Sequence, residues 1–575
     1  MSNRKIVISD DGGFFPVVDA QVLVVLLHAF DLTPKSLQRV AEIVREEYER
    51  SDLYVPRLPV QMFSCADPET IALGILQYLA RLPKIGSYRS IIFVGHSLGA
   101  VMARKVWALA HGATPAANFE PAQAQIWAPK IDRIVLLAAT NRGWMISSAL
   151  SPLHRLGWTL GTVWGNILRH LLGREPTIFG FRRGAPFLTT VRLQCLAVTA
   201  ALAADQPITV QLLGTADDYV APTDNLDLAT GRNFYYLEVP AATHRGIVAL
   251  DEGDGSSGAL GRFRLALVGD RQSLTEVALT KQDVDDLYDD APDDYDIAAA
   301  ALEDSKVDHV VFVIHGIRDR GFWTRRIARE VKSLARERGQ TCRAVTSTYG
   351  YFPMGPFLLP WMRRSKVEWL LDQYVMAKAL YPQAQFSYIG HSNGTYLLAG
   401  ALQRCPAVHF QHAVFGGSVV SSTYSWSSFI PAQLARILNY VATDDRVVAI
   451  FPQGLERLRL QDLGGAGHLG FSDPQAINIR HVEGGHSAAL ADTRWREMAT
   501  FVLNDEPPPT PVPATHQTEV IERLARFAPA IWVVLVAVIL APGAALLYAI
   551  GWPRWPLAVL FAVYLYLVKT ILTRA

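Results

Sequence analysis

The chain has 575 residues, which is enough for two or more domains of ordinary size. Its 54 basic and 53 acidic side chains give a formal net charge of +1, which argues against a polyanionic partner such as nucleic acid. The chain has no glycine-rich nucleotide-binding motif and no His/Asp/Glu cluster with metal-ligand spacing, and its four cysteines are scattered. We therefore expect no cofactor, no metal and no nucleic-acid partner.

Two stretches of the chain repeat the same order of predicted elements. An apolar run over 22–30, rich in β-branched residues, precedes an amphipathic helical pattern and then VGHSLG at 94–99. A second apolar run over 309–317 precedes another helical pattern and then IGHSNG at 389–394. Near-continuous apolar strands that alternate with helices predict two α/β domains in tandem, each with a doubly wound, mostly parallel sheet.

Both hexapeptides contain Gly-x-Ser-x-Gly between a strand-like run and a helical pattern. A serine at such a junction is held in a tight turn, and the small residues on either side let the strand and the helix approach each other. The N-terminus of the following helix offers backbone N–H groups to a developing oxyanion. Because the pattern recurs in the same context, Ser97 and Ser392 are predicted nucleophiles.

A nucleophilic serine needs a base and a carboxylate that orients the base. In the first half, the strand-like run 208–214 leads to two adjacent aspartates, and a later run leads to His244. In the second half, the run 438–442 also leads to two adjacent aspartates, and a later run leads to His486. His468 is a rival base, but a glycine-flanked loop after a strand favours His486.

Together these motifs resemble two tandem α/β-hydrolase domains of the serine esterase and lipase type, over about 20–270 and 307–503. In that family the acid often stands in Gly-x-x-Asp-x-x-Val. GTADDYV matches this pattern with Asp217, and ATDDRVV matches it with Asp445 except that alanine replaces the glycine. The resemblance implies Asp217 and Asp445 as the acids, with Asp218 and Asp444 as alternatives.

The same family carries a His-Gly-x turn whose next backbone N–H completes the oxyanion hole. HGI at 315–317 matches this turn, whereas HAF at 28–30 has Ala29 in place of glycine. The resemblance implies a structural role for the two histidines of these turns and four backbone donors, those of Phe30, Leu98, Ile317 and Asn393. His96 and His391, which precede the serines, are expected to pack, and His481 is expected to lie in a strand.

The resemblance also assigns roles to the six predicted triad residues. Ser97 and Ser392 would attack an acyl carbonyl. His244 and His486 would take the serine proton and return it to the leaving group. Asp217 and Asp445 would fix the imidazole tautomer and stabilise its cation.

The C-terminal region is the apolar part of the chain. The stretch 529–551 has the length of a membrane span and no charge, and 557–572 is shorter and ends near Lys569. We expect a transmembrane hairpin over 528–573, although a single span followed by an interfacial helix is the alternative. Basic residues flank the outer ends of the two stretches, which predicts an integral membrane protein, at a bacterial inner membrane, with its preceding domains in the cytoplasm.

These observations give one domain order and one expected function. The predicted order is a hydrolase domain over 1–270 with a cap insertion over about 141–207, an acidic linker over 271–306, a second hydrolase domain over 307–503, a Pro-rich linker over 504–527 and the hairpin. The cap contains an apolar helical pattern over 151–173, which either covers the active site or packs on its own core. A second apolar segment, 349–371, is a candidate for membrane contact.

The expected function is that of a membrane-anchored hydrolase of carboxylic, lipid-like esters. Two alternatives use the same residues differently. One is an acyltransferase, and the other is a membrane scaffold in which one or both domains are not catalytic.

Overall fold

The computed structural model describes residues 6–510 apart from 147–151, 221–224, 228–229, 232, 251–254, 281–306, 320, 347, 443 and 459–460, together with scattered positions between 527 and 564. The chain divides into two compact units, here called unit 1 and unit 2. Unit 1 is formed mainly by Met1–Ala291, and unit 2 mainly by the residues from Pro292 onward.

The sheet of unit 1 is parallel except at one edge. Its strands are β1 (Gly12–Phe15), β2 (Val22–Leu27), β3 (Ser51–Pro56), β4 (Ser90–His96), β5 (Ile131–Leu137), β6 (Ile208–Gly214) and β7 (Phe234–Val239). Within the described residues their order is β1-β3-β2-β4-β5-β6-β7, and only β1 runs antiparallel to its neighbour. The strand that leads to Ser97 is therefore central.

Helices cover both faces of this sheet. They are α1 (Gln38–Glu47), α2 (Pro68–Ala80), α3 (Leu98–Ala110), α4 (Pro152–Leu172), α5 (Pro186–Leu202), α6 (Ala259–Val268) and α7 (Arg271–Thr275). In β2, Leu23 and Val25 enter the core cluster shared with α2, α3 and α5, while Val24 and Leu26 enter the one shared with α1 and α6. Burial on both faces explains why this strand is apolar at every position.

Two features of unit 1 differ from the sequence prediction. The predicted cap over 141–207 includes α5, but Leu188, Val191 and Val198 of that helix belong to the buried core, so α5 is part of the main body. The predicted linker begins at 271, but α7 starts there with Asp270 as its cap, and its Leu274 is fully buried. Burial of apolar residues thus extends the packed unit past residue 270.

The sheet of unit 2 is parallel throughout its described strands. These are β8 (His309–Ile314), β9 (Cys342–Val345), β10 (Gln385–His391), β11 (Phe410–Gly416), β12 (Leu434–Ala442) and β13 (Ala476–Val482). Their order is β13-β12-β11-β10-β8-β9. As in unit 1, the strand that leads to the predicted nucleophile lies inside the sheet.

In this second part of the chain, one helix lies within the apolar segment 349–371 and another begins in it. The helices are α8 (Thr324–Glu337), α9 (Met354–Leu358), α10 (Pro360–Leu380), α11 (Asn393–Arg404), α12 (Arg446–Arg457), α13 (Ala466–Leu469) and α14 (Trp495–Asn504). Phe352 and Phe357 are buried, so much of the segment proposed for membrane contact instead packs inside the protein.

Within the part of the chain that the structure describes, no helix is both long enough and apolar enough to cross a membrane. The predicted hairpin over 528–573 lies mostly outside the described residues and stays a prediction, as does most of the linker 271–306.

Candidate active sites

Ser97 and Ser392 occupy the same strained turn in their two units. Ser97 lies between the end of β4 and the start of α3 with a φ of 52°, and Ser392 lies between β10 and α11 with a φ of 53°. A non-glycine residue in this left-handed region costs free energy and is held there only by its surroundings. Both serines are nearly buried, with 7% and 5% of their surface exposed.

The second glycine of each Gly-x-Ser-x-Gly motif allows the helix to approach the neighbouring strand. A Cβ on Gly99 would clash with the Leu27 carbonyl oxygen, and a Cβ on Gly394 would clash with the Ile314 carbonyl oxygen. The small residue of the motif is therefore required by close packing.

Each unit also places a histidine against a carboxylate. His244 Nδ1 lies 2.8 Å from Asp217 Oδ2, and His486 Nδ1 lies 3.0 Å from Asp445 Oδ2. Because a carboxylate accepts, each Nδ1 carries the proton and each Nε2 keeps a free lone pair. That tautomer is the one that can take a proton from a serine hydroxyl.

Backbone N–H groups hold both carboxylates in place. Asp217 Oδ1 accepts from the N–H groups of Tyr219 and Val220, at 3.0 and 2.9 Å. Asp445 is fully buried and caps α12 by accepting from the Val448 N–H at 3.0 Å. These bonds fix the orientation of each carboxylate.

The histidine that precedes each serine connects it to the loop of the base. His96 Nε2–H donates to the His244 carbonyl oxygen at 2.8 Å, and His391 Nε2–H donates to the His486 carbonyl oxygen at 3.1 Å. Burial lowers the pKa of His96 to about 3 and that of His391 to about 4, so both rings stay neutral donors. These histidines position the base loop, a role that the sequence prediction of simple packing missed.

In unit 1, the predicted oxyanion turn is anchored by His28. Its Nδ1–H donates to the Ala29 carbonyl oxygen, and its Nε2 accepts from the Leu58 N–H, both at 2.9 Å. Asp31 follows Phe30 with a φ of 54°, and its N–H donates to the Val60 carbonyl oxygen. The turn thus accommodates alanine at the position where the family pattern has glycine.

In unit 2, the equivalent turn is held by side chains as well as backbone. His315 Nδ1–H donates to the Gly316 carbonyl oxygen, and Thr348 donates to His315 Nε2, both at 2.7 Å. Arg318 repeats the left-handed conformation with a φ of 55°, and its N–H donates to the Phe352 carbonyl oxygen. A Cβ on Gly316 would lie 2.7 Å from the Ser392 Cβ, so glycine is required here.

Tyr349 joins the two halves of the predicted oxyanion hole in unit 2. Its hydroxyl lies 2.8 Å from the Gly316 carbonyl oxygen and 2.9 Å from that of His315, and it accepts from Asn393 Nδ2 at 3.1 Å. Its ring stacks on His315 with the ring centroids 4.4 Å apart. Burial raises the pKa of Tyr349, so the phenol keeps its proton. Sequence reasoning missed this residue because no motif marks it.

Unit 1 contains a cavity of about 580 Å³ that is lined by four of its five predicted site residues. Its lining includes Ser97 and His244 together with both predicted oxyanion residues, Phe30 and Leu98. Aromatic and aliphatic side chains form most of the rest, among them Trp144, Trp158, Leu168, Ile178, Phe179 and Phe181. Helix α4 forms one wall, so the predicted cap helix does line the site.

The alternative residues lie elsewhere. Asp218 is exposed, whereas its neighbour Asp217 faces the base. Asp444 pairs at 3.0 Å with Arg446, while Asp445 contacts the base. His468 lies in the short helix α13, and His481 lies in β13 as expected. In both units the aspartate named first, and not its neighbour, contacts the predicted base, whose catalytic role stays a prediction.

No protein-family model matches the chain, and no curated protein sequence matches it. Among solved structures, phospholipase PlaB from Legionella pneumophila in complex with thio-NAD is 13% identical, with a TM-score of 0.33, over 47% of this chain and 62% of that one. PlaB alone is 14% identical, with a TM-score of 0.31, over 47% of this chain and 64% of that one. This chain thus spans less than two thirds of PlaB.

Esterase B from Lactobacillus rhamnosis is 11% identical, with a TM-score of 0.30, over 45% of this chain and 79% of that chain. The chemical interpretation of the two sites therefore rests on their own geometry.

Proposed function

We propose that this chain is a two-site serine hydrolase of the α/β-hydrolase family that cleaves carboxylic esters with apolar acyl chains. One observation carries the proposal. In each unit, a serine lies in a left-handed turn between a strand and a helix. The histidine before it donates to the backbone carbonyl oxygen of a second histidine, and the Nδ1–H of that second histidine donates to a carboxylate. Two independent occurrences of this arrangement favour one chemistry over two structural coincidences.

The chemistry follows from the proton positions. The base Nε2 takes the serine proton as Oγ attacks the ester carbonyl carbon, and the Nδ1–H donates to the carboxylate that stabilises the imidazolium. Backbone N–H groups at the start of α3 and α11 have no acceptor inside their helices and would bind the oxyanion. The base then protonates the leaving alcohol, and water repeats the sequence to release the acid and restore the serine.

The cavity of unit 1 supports an apolar acyl group. Beyond Ser97, His244 and the oxyanion residues, its wall consists mostly of apolar side chains, among them tryptophan, phenylalanine, leucine and isoleucine. A preformed apolar cavity with few convergent polar groups is typical of a small-molecule site. Lipid-like esters fit this wall better than charged or sugar esters do.

The membrane part of the proposal rests on the sequence. The apolar stretches within 528–573 would form a hairpin that anchors the chain, with both hydrolase units on the cytoplasmic side. An anchored enzyme would meet substrates that partition into the bilayer.

A chain-length series tests the proposal at one site at a time. In Ser392→Ala protein, kcat/KM for p-nitrophenyl esters should rise from acetyl to decanoyl, by up to about fourfold per methylene that enters the cavity. Ser97→Ala protein reports the second site, and the double variant supplies the background. Ester hydrolysis that persists in the double variant would contradict the proposal.

A further inference from the structure

The mouth of the unit 1 cavity is surrounded by exposed apolar side chains. Three large apolar side chains both line the cavity and face solvent: those of Met62, Phe63 and Trp164, with 56%, 81% and 55% of their surface exposed. Large apolar residues at these exposures normally mark a surface that contacts something other than water when they cluster.

Helix α4 extends this rim into a stripe. Leu160, Val163, Trp164 and Ile167 are spaced at i, i+3, i+4 and i+7 and are all at least 40% exposed. This spacing places them on one face of the helix. We call Met62, Phe63 and these four residues the rim patch.

Helix α4 carries apolar side chains on its cavity side as well as on its solvent side. Gly157, Gly161 and Gly165 line the cavity, and a Cβ on Gly157 or Gly161 would meet open space. A cap helix that only covered an apolar cavity would turn its large side chains inward and its polar ones outward. Here Trp158 and Leu168 line the cavity together with the three glycines, while Leu160, Val163 and Ile167 face solvent, so α4 carries more apolar surface than the cavity covers.

The charges near the rim patch fit a lipid surface. The sequence of α4 contains no acidic residue, and Arg174 is exposed just beyond its end. Arg169 pairs with Glu175 at 3.2 Å, and the cavity lining adds Asp31 and Arg245. The three arginines and two carboxylates named here sum to a net charge of +1, which does not oppose contact with zwitterionic or anionic headgroups.

We infer that the rim patch docks on the surface of a lipid bilayer, so that an ester passes from the bilayer into the cavity without crossing water. Trp164 belongs to both the stripe and the cavity lining, so the proposed contact surface is continuous with the proposed acyl site. An interfacial helix with one apolar face and tryptophan at the boundary is the expected geometry for such a contact. The substrate route rests on the proposed function, but the bilayer contact does not.

Site-directed fluorescence on the full chain tests the contact. In a Cys65→Ser background, which removes the exposed native cysteine, single cysteines replace Leu160, Val163 or, as the control, Val18. Val18 is 84% exposed and precedes β2, at the edge of the sheet away from Ser97. Each variant carries an environment-sensitive fluorophore and is reconstituted into phosphatidylcholine–phosphatidylglycerol vesicles with brominated acyl chains.

The inference predicts blue-shifted emission and bromine quenching at Leu160→Cys and Val163→Cys, with neither at Val18→Cys. Equal quenching at all three positions would overturn it. A blue shift without quenching would also overturn it, because the occupant would then be the apolar C-terminal segment or a second copy of the chain. In the second case the shift would depend on protein concentration.

Activity supplies a second readout. The double variant Leu160→Asp/Val163→Asp alters residues outside the cavity lining, so hydrolysis of a soluble short-chain ester should be unchanged. Hydrolysis of a long-chain ester held in vesicles should fall at least about tenfold, since two apolar contacts with lipid are lost. Unchanged vesicle activity would contradict docking. Failure of Ser97 to react with a fluorophosphonate would reject the proposed function while leaving the quenching result to decide the contact.

Discussion

Units 1 and 2 share the same arrangement of serine, histidines and carboxylate, but different residues hold the neighbouring turns in place. In both, a neutral buried histidine beside the serine donates to the carbonyl oxygen of the base, and the base donates to a carboxylate. The oxyanion turns differ. His28 is anchored by a backbone N–H from Leu58, whereas His315 is anchored by the Thr348 hydroxyl and the Tyr349 ring. The two units therefore share the contacts among serine, histidines and carboxylate and differ in the side chains that hold the turns.

Substitution of the two adjacent aspartates in each unit should give the largest difference in kcat. Asp217→Asn and Asp445→Asn should each lower kcat at their own site by about 10⁴-fold, because an amide no longer selects the tautomer that accepts the serine proton. Asp218→Asn and Asp444→Asn are the matched controls and should leave kcat within a few-fold of the parent. Esterase assays in the Ser392→Ala and Ser97→Ala backgrounds isolate the two sites. An inactive control beside an active Asp217→Asn would reverse the assignment.

The two oxyanion turns should differ in how strongly kcat responds to the gain or loss of one methyl group. Gly316→Ala places a Cβ 2.7 Å from the Ser392 Cβ, so the turn must shift and kcat at the second site should fall by about 10²-fold. Ala29→Gly in unit 1 removes a methyl group and should change kcat little. Equal tolerance at both positions would show that the two turns do not differ as the structure describes.

Tyr349 should matter only for the second site. Tyr349→Phe removes the hydroxyl that links Gly316 to Asn393, and kcat there should fall by about tenfold with KM nearly unchanged. Tyr424→Phe is the control, because its partly buried hydroxyl donates to the Ala399 carbonyl oxygen away from the site. Both variants should lower the free energy of unfolding by about 1–3 kcal/mol. A parental kcat in Tyr349→Phe would make the residue merely structural.

The histidines beside the serines should make both units acid-sensitive. Their folded-state pKa values, about 3 for His96 and about 4 for His391, lie below the ordinary value of 6.5, so the unfolded chain binds more protons as the pH falls. The contribution of each histidine to the free energy of unfolding is therefore fully present above about pH 6.5 and declines toward pH 4. At pH 5 it is lower by about 2 kcal/mol per histidine. Unfolding midpoints at pH 7.5 and 5.0 should lie closer together in His96→Gln than in the parent. An unchanged interval would contradict this account.

Much of the fold and of the candidate triads was predictable because periodicity and short motifs carry them. β2 is apolar at every position because its two faces enter two cores. Glycine stands two positions after Ser97 because a Cβ there would clash with the Leu27 carbonyl oxygen. The rest depended on contacts between residues distant in sequence. Tyr349 acts through Asn393, 44 positions away, and nothing local marks that pairing. The packing of α5 could not be predicted either, since the sequence of an apolar helix is the same whether the helix covers a cavity or enters a core.

The most direct test of the central claim is the mapping of fluorophosphonate adducts by mass spectrometry on the intact chain. Two activated serines predict adducts on Ser97 and on Ser392, each lost only in its own alanine variant and both lost in the double variant. A folded chain that forms no adduct at either serine, while a control serine hydrolase reacts fully in the same mixture, would contradict the account.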